Sequence, residues 1–596
     1  IDTNAHAQNL DRVLVLLNEA DEANAKHPVS VHAEVLSHCS ITALRMSNSV
    51  LQSNPHIWEH LSRNLNKINP DHLIVIYDAI NFWVCAPEDC RKLIVEELFS
   101  RPQITASACE KLINRLHANQ PDDLLKLTDR LIDLAPRSEH GYLTLYAKSL
   151  VESADQALSQ RKAYLPIHRK AKDAVLIIKL LRQAGRLSVA TRFAKFLLLK
   201  NPNHEVFENH YVHMLLETGS VEQVEGILEK YLARGGRITV QKMAMVLNVL
   251  IQLDRLEDVD GICNSYPLLD NLPLGALNQV VRAKQSIGKK SEADRMLAAI
   301  KKRDLSTGTL HSAPTILQTI QVESSFDPNG EWENNSGRLT YGFTQIIRAA
   351  AGDFELPRDQ RQIKPEKLIH QYWDKTQIPQ EMVGLTESWR KDANYEYHLY
   401  DKKSARKILK EKLGLDWLKA FNNASSPAEE SDFFRLCILM LRGGTYVDCD
   451  DRLVVNINDL YELLDGFTVF AEPFGYTANN FLACPKGHPL MVRAAIRAKL
   501  ALENRHNENT LFKTGPGLLA RTVASFLNAE DAGSGKNKVT VIPRYILCRY
   551  VQIHVPLPYK KTTKYWNSTK AVFVNDPIIS QLRDNCHLPE RSIAVS

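Results

Sequence analysis

Long apolar runs are missing from this sequence: the strongest, 174–181 and 196–199, are broken by Lys or Arg well short of the roughly 18 residues that a membrane-spanning helix needs. A transmembrane span is not expected. An excess of one charge sign is missing too, since 74 basic and 69 acidic residues leave only +5 over 596 positions, too little to indicate nucleic-acid binding. The ten cysteines show no paired Cys-x-x-Cys spacing, so reduced thiols are expected rather than a disulfide framework. At the start, Ile1-Asp2-Thr3-Asn4 offers no basic stretch followed by an apolar core, and no signal peptide is read there. Asn-x-Ser/Thr triplets stand at Asn334, Asn423 and Asn567, but chance often supplies these. A cytoplasmic location is expected, with a peripheral place at a membrane left open.

What is present is an ordinary globular composition, 44% hydrophobic and 24% charged, able to form dense cores. A chain of 596 residues exceeds one core and should divide into domains on the order of 150 residues.

The front part, 1–304, reads as one amphipathic helix after another with few glycines. Leu180-Leu181-Arg182-Gln183-Ala184-Gly185 resembles Leu215-Leu216-Glu217-Thr218-Gly219, then Ile251-Gln252-Leu253-Asp254, then Ser286-Ile287-Gly288. The turn positions 185, 219, 254 and 288 are 34, 35 and 34 residues apart, the period of tetratricopeptide helix pairs. Ala190, Ala194, Ala293 and Ala298 supply small residues where helices must approach closely. This pattern predicts an all-α, TPR-like solenoid whose concave face holds a partner protein, a chain-like acceptor or its own chain. Self-association, or simple support of the C-terminal region, is the competing reading. Before about residue 140 only helices are expected.

Between 305 and 362 the period gives way to turn chemistry such as Asp327-Pro328-Asn329-Gly330, a linker or boundary. From 363 to 596 short apolar strands, 367–370 and 444–447, alternate with helical stretches such as 432–441, an α/β pattern with a mostly parallel sheet. Its sharpest feature is Gly443-Gly444-Thr445-Tyr446-Val447-Asp448-Cys449-Asp450-Asp451, a strand ending in crowded carboxylates. Such acids repel unless a hard divalent cation neutralises them, and that cation can also hold a diphosphate. Residues two apart in a strand share a face, so Asp448 and Asp450 are expected to point the same way. Alone, Asp-x-Asp is a common surface accident.

It is not alone. Upstream stand "IHQYW" at 369–373, Ser388-Trp389, "YEYHLYD" at 395–401 and "AEESDFFRLCIL" at 428–439; downstream is "CPKGHP" at 484–489. Together these resemble the DXD sugar-transferase family, glycosyltransferase family 32, over roughly 364–518. The resemblance implies a GT-A type nucleotide-sugar-binding domain. It assigns Trp373 to stacking on the donor base, a contact worth roughly 1–3 kcal/mol, against the plainer reading of a core tryptophan. It assigns Asp432 and Arg435, which share a helix face, to donor binding, Tyr446 and Asp448 to the nucleoside, and Asp448 and Asp450 to the metal. One of Asn479 and Asn480, here Asn480, is placed near the transferred sugar. Asp451 reads as a surface acid and His488 as a turn histidine. The family's C-terminal metal ligand has no clear counterpart; Ser568, in Tyr565-Trp566-Asn567-Ser568, is the nearest match and His554 a remote one.

The function so implied is a metal-dependent glycosyltransferase using Mn2+ or Mg2+. A nucleotide-sugar supplies the sugar, a UDP-sugar being favoured and GDP-mannose the alternative. The acceptor is a glycan, glycolipid or protein, in polysaccharide or glycolipid synthesis, with retention of configuration. Two other readings stand beside it: a protein-modifying transferase whose repeats hold the target, and a TPR scaffold with an inactive transferase domain, against which the intact Asp432, Arg435, Asp448 and Asp450 argue.

Overall fold

The structure is a computed structural model that describes residues 137–164, 171–233, 238–307, 345–356, 362–504, 510–528 and 535–557, except 152 and 267, with a few isolated positions besides. Most of the helices expected before 140, most of the boundary loop, and Ser568 with its neighbours lie outside the described residues. The chain forms two compact units, 1–176 with 558–596, and 177–557.

In the first unit, helices α1 (Arg137–Val151) and α2 (Ala154–Tyr164) pack on each other. Helix α3 (Ala171–Gln183) carries the chain into the second unit. There follow α4 (Leu187–Lys200), α5 (Glu205–Glu217), α6 (Val221–Leu232), α7 (Val240–Gln252), α8 (Leu256–Ser265), α9 (Leu274–Ser286) and α10 (Lys290–Thr307). From α4 to α10 consecutive helices pack, and α5, α7 and α9 also pack in series, with Leu215, Leu247 and Val280 among their buried residues.

All four turn positions are left-handed: Gly185 at φ 75°, Gly219 at 62°, Asp254 at 57° and Gly288 at 82°. Each closes its helix with the same two hydrogen bonds. At the first, Gly185 N donates to Arg182 O (3.0 Å) and Arg186 N to Leu181 O (2.8 Å); at the last, Gly288 N donates to Gln285 O (3.0 Å) and Lys289 N to Lys284 O (2.8 Å). This is the Schellman closure, which satisfies carbonyls that a helix end leaves open and favours glycine because positive φ crowds a Cβ.

The other end of the same unit is a six-stranded sheet, β1 (Leu368–Tyr372), β2 (Glu396–Tyr400), β3 (Gly444–Val447), β5 (Phe467–Glu472), β6 (Tyr476–Cys484) and β7 (Val539–Pro543), in the order β2-β1-β3-β6-β5-β7. The expected mostly parallel sheet is mixed. Pairs β1–β2, β1–β3 and β5–β7 are parallel, whereas β6 runs antiparallel between β3 and β5. A separate ribbon joins β4 (Arg452–Leu453) to β8 (Val551–Gln552). One face of the sheet is covered by α11 (Pro427–Arg442), α12 (Pro489–Glu503) and α13 (Pro516–Leu527), whose Phe434, Ile438, Ala498 and Val523 join a single core with Tyr446 and Leu482. Prolines at N1 start these three helices, where the missing N–H costs nothing. The turn histidine His488 is the N-cap of α12, its Nδ1 accepting from Leu490 N at 3.2 Å.

Helix α11 ends at Gly443 (φ 68°), and Gly444 (φ 91°) lies so close to β1 that a Cβ would meet Leu368 at 2.7 Å. His370 locks this turn: fully buried, it bonds Gly443 O at 3.0 Å and Tyr400 Oη at 3.1 Å. Burial drives its pKa down to about 3. A histidine neutral in the fold but protonated when unfolded contributes stability above its unfolded pKa of about 6.5, and that contribution disappears as pH falls toward about 3. Urea unfolding should therefore show stability falling below pH 6.5 by up to about 1.4 kcal/mol per pH unit from this residue. In His370→Gln that slope should be shallower; an unchanged slope would show that the ring does not stay neutral.

Candidate active site

Helix α11 begins at Ser426, whose hydroxyl accepts from Glu429 N at 3.3 Å, and its first turns carry Ser431, Asp432 and Arg435 on one face. The side chains meet as their spacing requires: Arg435 Nη2 lies 3.2 Å from Asp432 Oδ1. The same nitrogen lies 3.1 Å from Asp448 Oδ1, and the guanidinium sits 4.7 Å above the ring centre of Tyr446. Burial works against charge on Arg435, but Asp448, Tyr446 and Asp432 hold it protonated, above even its usual range. Burial also pushes the Asp432 carboxyl above the ordinary carboxylate range, opposed by Arg435. Tyr446 is wholly buried, with its hydroxyl 2.9 Å from Ser431 Oγ, so it supports Arg435 from below.

Strand β3 stops at Val447, and Asp448–Asp451 form a turn rather than a strand end. The shared-face argument therefore does not apply. Asp448 turns to Arg435, whereas Asp450 groups with Asp451 and His554, each offering a ligand atom within 4.8 Å of the others. Asp451 is not a surface acid. It is 0% exposed, and accepts from Asn480 Nδ2 at 2.6 Å and from His554 N at 2.7 Å. Its carboxyl is pushed well above the carboxylate range, first by burial and then by Asp450 and Asp448. His554, at φ 51°, is turned back over the acids, and Val555 N donates to Asp450 O at 3.0 Å. The donor set of two carboxylates and an imidazole suits Mn2+ or a similar divalent ion, and the crowding of acids about the buried Asp451 fits one.

The adjacent asparagines of β6 divide as strand neighbours must. Asn479 is half-buried and donates to Asp432 Oδ1 at 2.9 Å, while Asn480 is buried behind Asp451. Of the two, Asn479 is the one beside the Asp432–Arg435 pair. Trp373, just past β1, is half-buried, and its backbone N–H donates to Tyr400 O at 2.9 Å; the fully buried tryptophan is Trp389, whose indole donates to Asp451 O at 3.0 Å. Ser388 beside it accepts from Leu453 N at 3.0 Å. The Ser-Trp pair thus fixes the acid turn. Gln371 Nε2 does the same from β1, donating to Asp448 O at 3.2 Å.

Against known proteins, residues 379–463 match the family model described as "Glycosyltransferase sugar-binding region containing DXD motif". The chain is 26% identical to "Inositol phosphoceramide mannosyltransferase 3" of Schizosaccharomyces pombe over 184 residues, 30% of this chain and 50% of that protein. It is 26% identical to "Inositol phosphoceramide mannosyltransferase 1" of the same yeast over 26% of this chain and 50% of that protein. The chain thus spans about half the length of these relatives. A solved structure, "PaToxG Glycosyltransferase", covers 39% of this chain and 91% of its own at 16% identity, with a TM-score of 0.23 that carries no argument. The family match and the named relatives identify a glycosyltransferase region, and the match spans Asp432, Arg435, Asp448 and Asp450.

Exchanging the two asparagines separately tests this geometry. Asn480→Ala strips a hydrogen bond from a buried carboxylate and should cost about 2 kcal/mol in urea unfolding. Asn479→Ala should cost less than about half of that, being partly exposed, yet weaken donor use. Equal losses of stability would mean that both side chains are structural.

Proposed function

We propose that the region 363–596 is a metal-dependent glycosyltransferase that moves a sugar from a nucleotide-sugar to a glycan or glycolipid acceptor, with retention. The observation that carries this is the joining of two groups at the end of β3: Asp432, Arg435 and Asp448 on one side, Asp450, Asp451 and His554 on the other. A divalent cation, Mn2+ or Mg2+, would supply positive charge against the leaving diphosphate. Asp450, Asp451 and His554 would hold it. Asp432, Asp448 and Asn479 offer hydrogen-bond acceptors and a donor to ribose and sugar hydroxyls, and Arg435 bridges the two carboxylates. Tyr446 then acts through Arg435, and Asn480 through Asp451. Trp373 supplies the flat face on which the donor base stacks.

The donor is a UDP-sugar or GDP-mannose, and the mannosyltransferase names of both yeast relatives give mannose a place in the screen equal to that of the UDP-sugars. Region 1–304 is read as a TPR-like array, with 305–362 as the connection. Among the described residues no helix is long and apolar enough to cross a membrane.

Two results are expected. Asp450→Ala should abolish donor hydrolysis and transfer while the melting temperature stays near that of the wild type, and chelation of the wild type should do the same until Mn2+ is restored. Full activity in chelator would remove the metal from the account. Trp373→Ala should weaken nucleotide binding about ten-fold, the scale of one stacked base, measured by calorimetry with UDP and GDP; unchanged affinity for both would return Trp373 to the core.

A further inference from the structure

The ribbon β4–β8 brings together the two ends of the cation cluster. Asp450 and Asp451 precede Arg452, and His554 follows Gln552 by two residues; Arg452 and Gln552 are register partners. At that pair the ribbon is fastened to the helical array. Arg452 Nη1 donates to Gln552 Oε1 at 2.9 Å, Arg452 Nη2 to Gln183 O at 3.2 Å, and Gln552 Nε2 to Arg182 O at 2.8 Å. The two accepting carbonyls belong to the last turn of α3, which carries partial negative charge, and that of Arg182 accepts from Gly185 N as well. Gly185 makes the approach possible, because a Cβ there would lie 2.1 Å from the Arg452 guanidinium.

Other turns of the array are also met by side chains from later in the chain. Arg549 Nε donates to Gly219 O at 3.1 Å, and Arg348 donates to Asp254 Oδ2 at 2.6 Å and Asp254 O at 3.2 Å. Among the described residues, the turn at Gly185 is the one whose hydrogen bonds reach the strands that flank the ligands.

We infer that the Gly185 turn of the array is a positioning element for the cation cluster, acting through Arg452 and Gln552. It rests on the metal reading above. Neither residue is a ligand; each holds one arm of the ribbon so that Asp450, Asp451 and His554 stay within reach of one ion. Supporting groups of this kind commonly change metal affinity about 10–100-fold when removed.

The test is Mn2+ binding to the full chain, without donor, followed by electron paramagnetic resonance, with a melting curve for each variant. Arg452→Ala and Gly185→Ala should each weaken Mn2+ about ten-fold or more. Arg452→Lys keeps the charge but cannot fork between two acceptors; it should give an intermediate affinity in a folded protein even where the alanine variant unfolds. Arg348→Ala, which breaks an array contact away from the ribbon, should leave Mn2+ affinity unchanged. Wild-type affinity in both Arg452 variants, or an equal loss in Arg348→Ala, overturns the inference. Failure of the wild type to bind Mn2+ would overturn the metal reading and the inference together, whereas loss of binding in Asp450→Ala alone would leave the metal reading standing and remove only the role of the turn.

Discussion

Mutual repulsion among Asp448, Asp450 and Asp451 is the constraint on which the rest of the site depends. Three carboxylates within four residues, one of them fully buried, are tolerated only where something opposes their charge. The fold supplies two partial answers. Arg435 takes Asp448 to one side, and hydrogen bonds from Asn480 and the His554 backbone hold Asp451 on the other. Asp450, Asp451 and the His554 imidazole are then left with ligand atoms within 4.8 Å of one another. That gathering is the chemical basis for a divalent ion.

The elements around the turn are arranged to hold it against this repulsion. Trp389, Ser388 and Gln371 fasten its backbone from two different elements, while His370 fixes the glycine turn through which the chain enters β3. Several residues of the "IHQYW" and Ser-Trp motifs are thus scaffolding, and the half-buried Trp373 is the member left at the rim. The array contributes from farther away. Carbonyls at its left-handed turns accept from Arg452, Gln552, Arg549 and Arg348, so three guanidinium groups are held at helix ends.

Much of this was legible in the sequence where the signal was local. The turn spacing marked four positions that are all left-handed, and the three-residue spacing of Asp432 and Arg435 placed them in contact. What was not legible was long-range. Asp451 reads as a surface acid until Asn480 and His554 close over it, and His554 reaches the site only because β8 pairs with β4, about a hundred residues earlier in the chain. The choice between Asn479 and Asn480 turned on strand phase, which adjacent identical residues conceal. The antiparallel insertion of β6 into an otherwise parallel sheet likewise depends on pairing partners that no local pattern names.

The cation site is tested most directly by anomalous diffraction at the manganese edge from crystals of the full chain grown with Mn2+ and a nucleoside diphosphate. A peak is expected at coordinating distance from Asp450, with Asp451 or His554 as a second ligand and the diphosphate bound beside Arg435 and Asp448. A nucleotide bound there with no peak at Asp450, or a peak held by other residues, would contradict it.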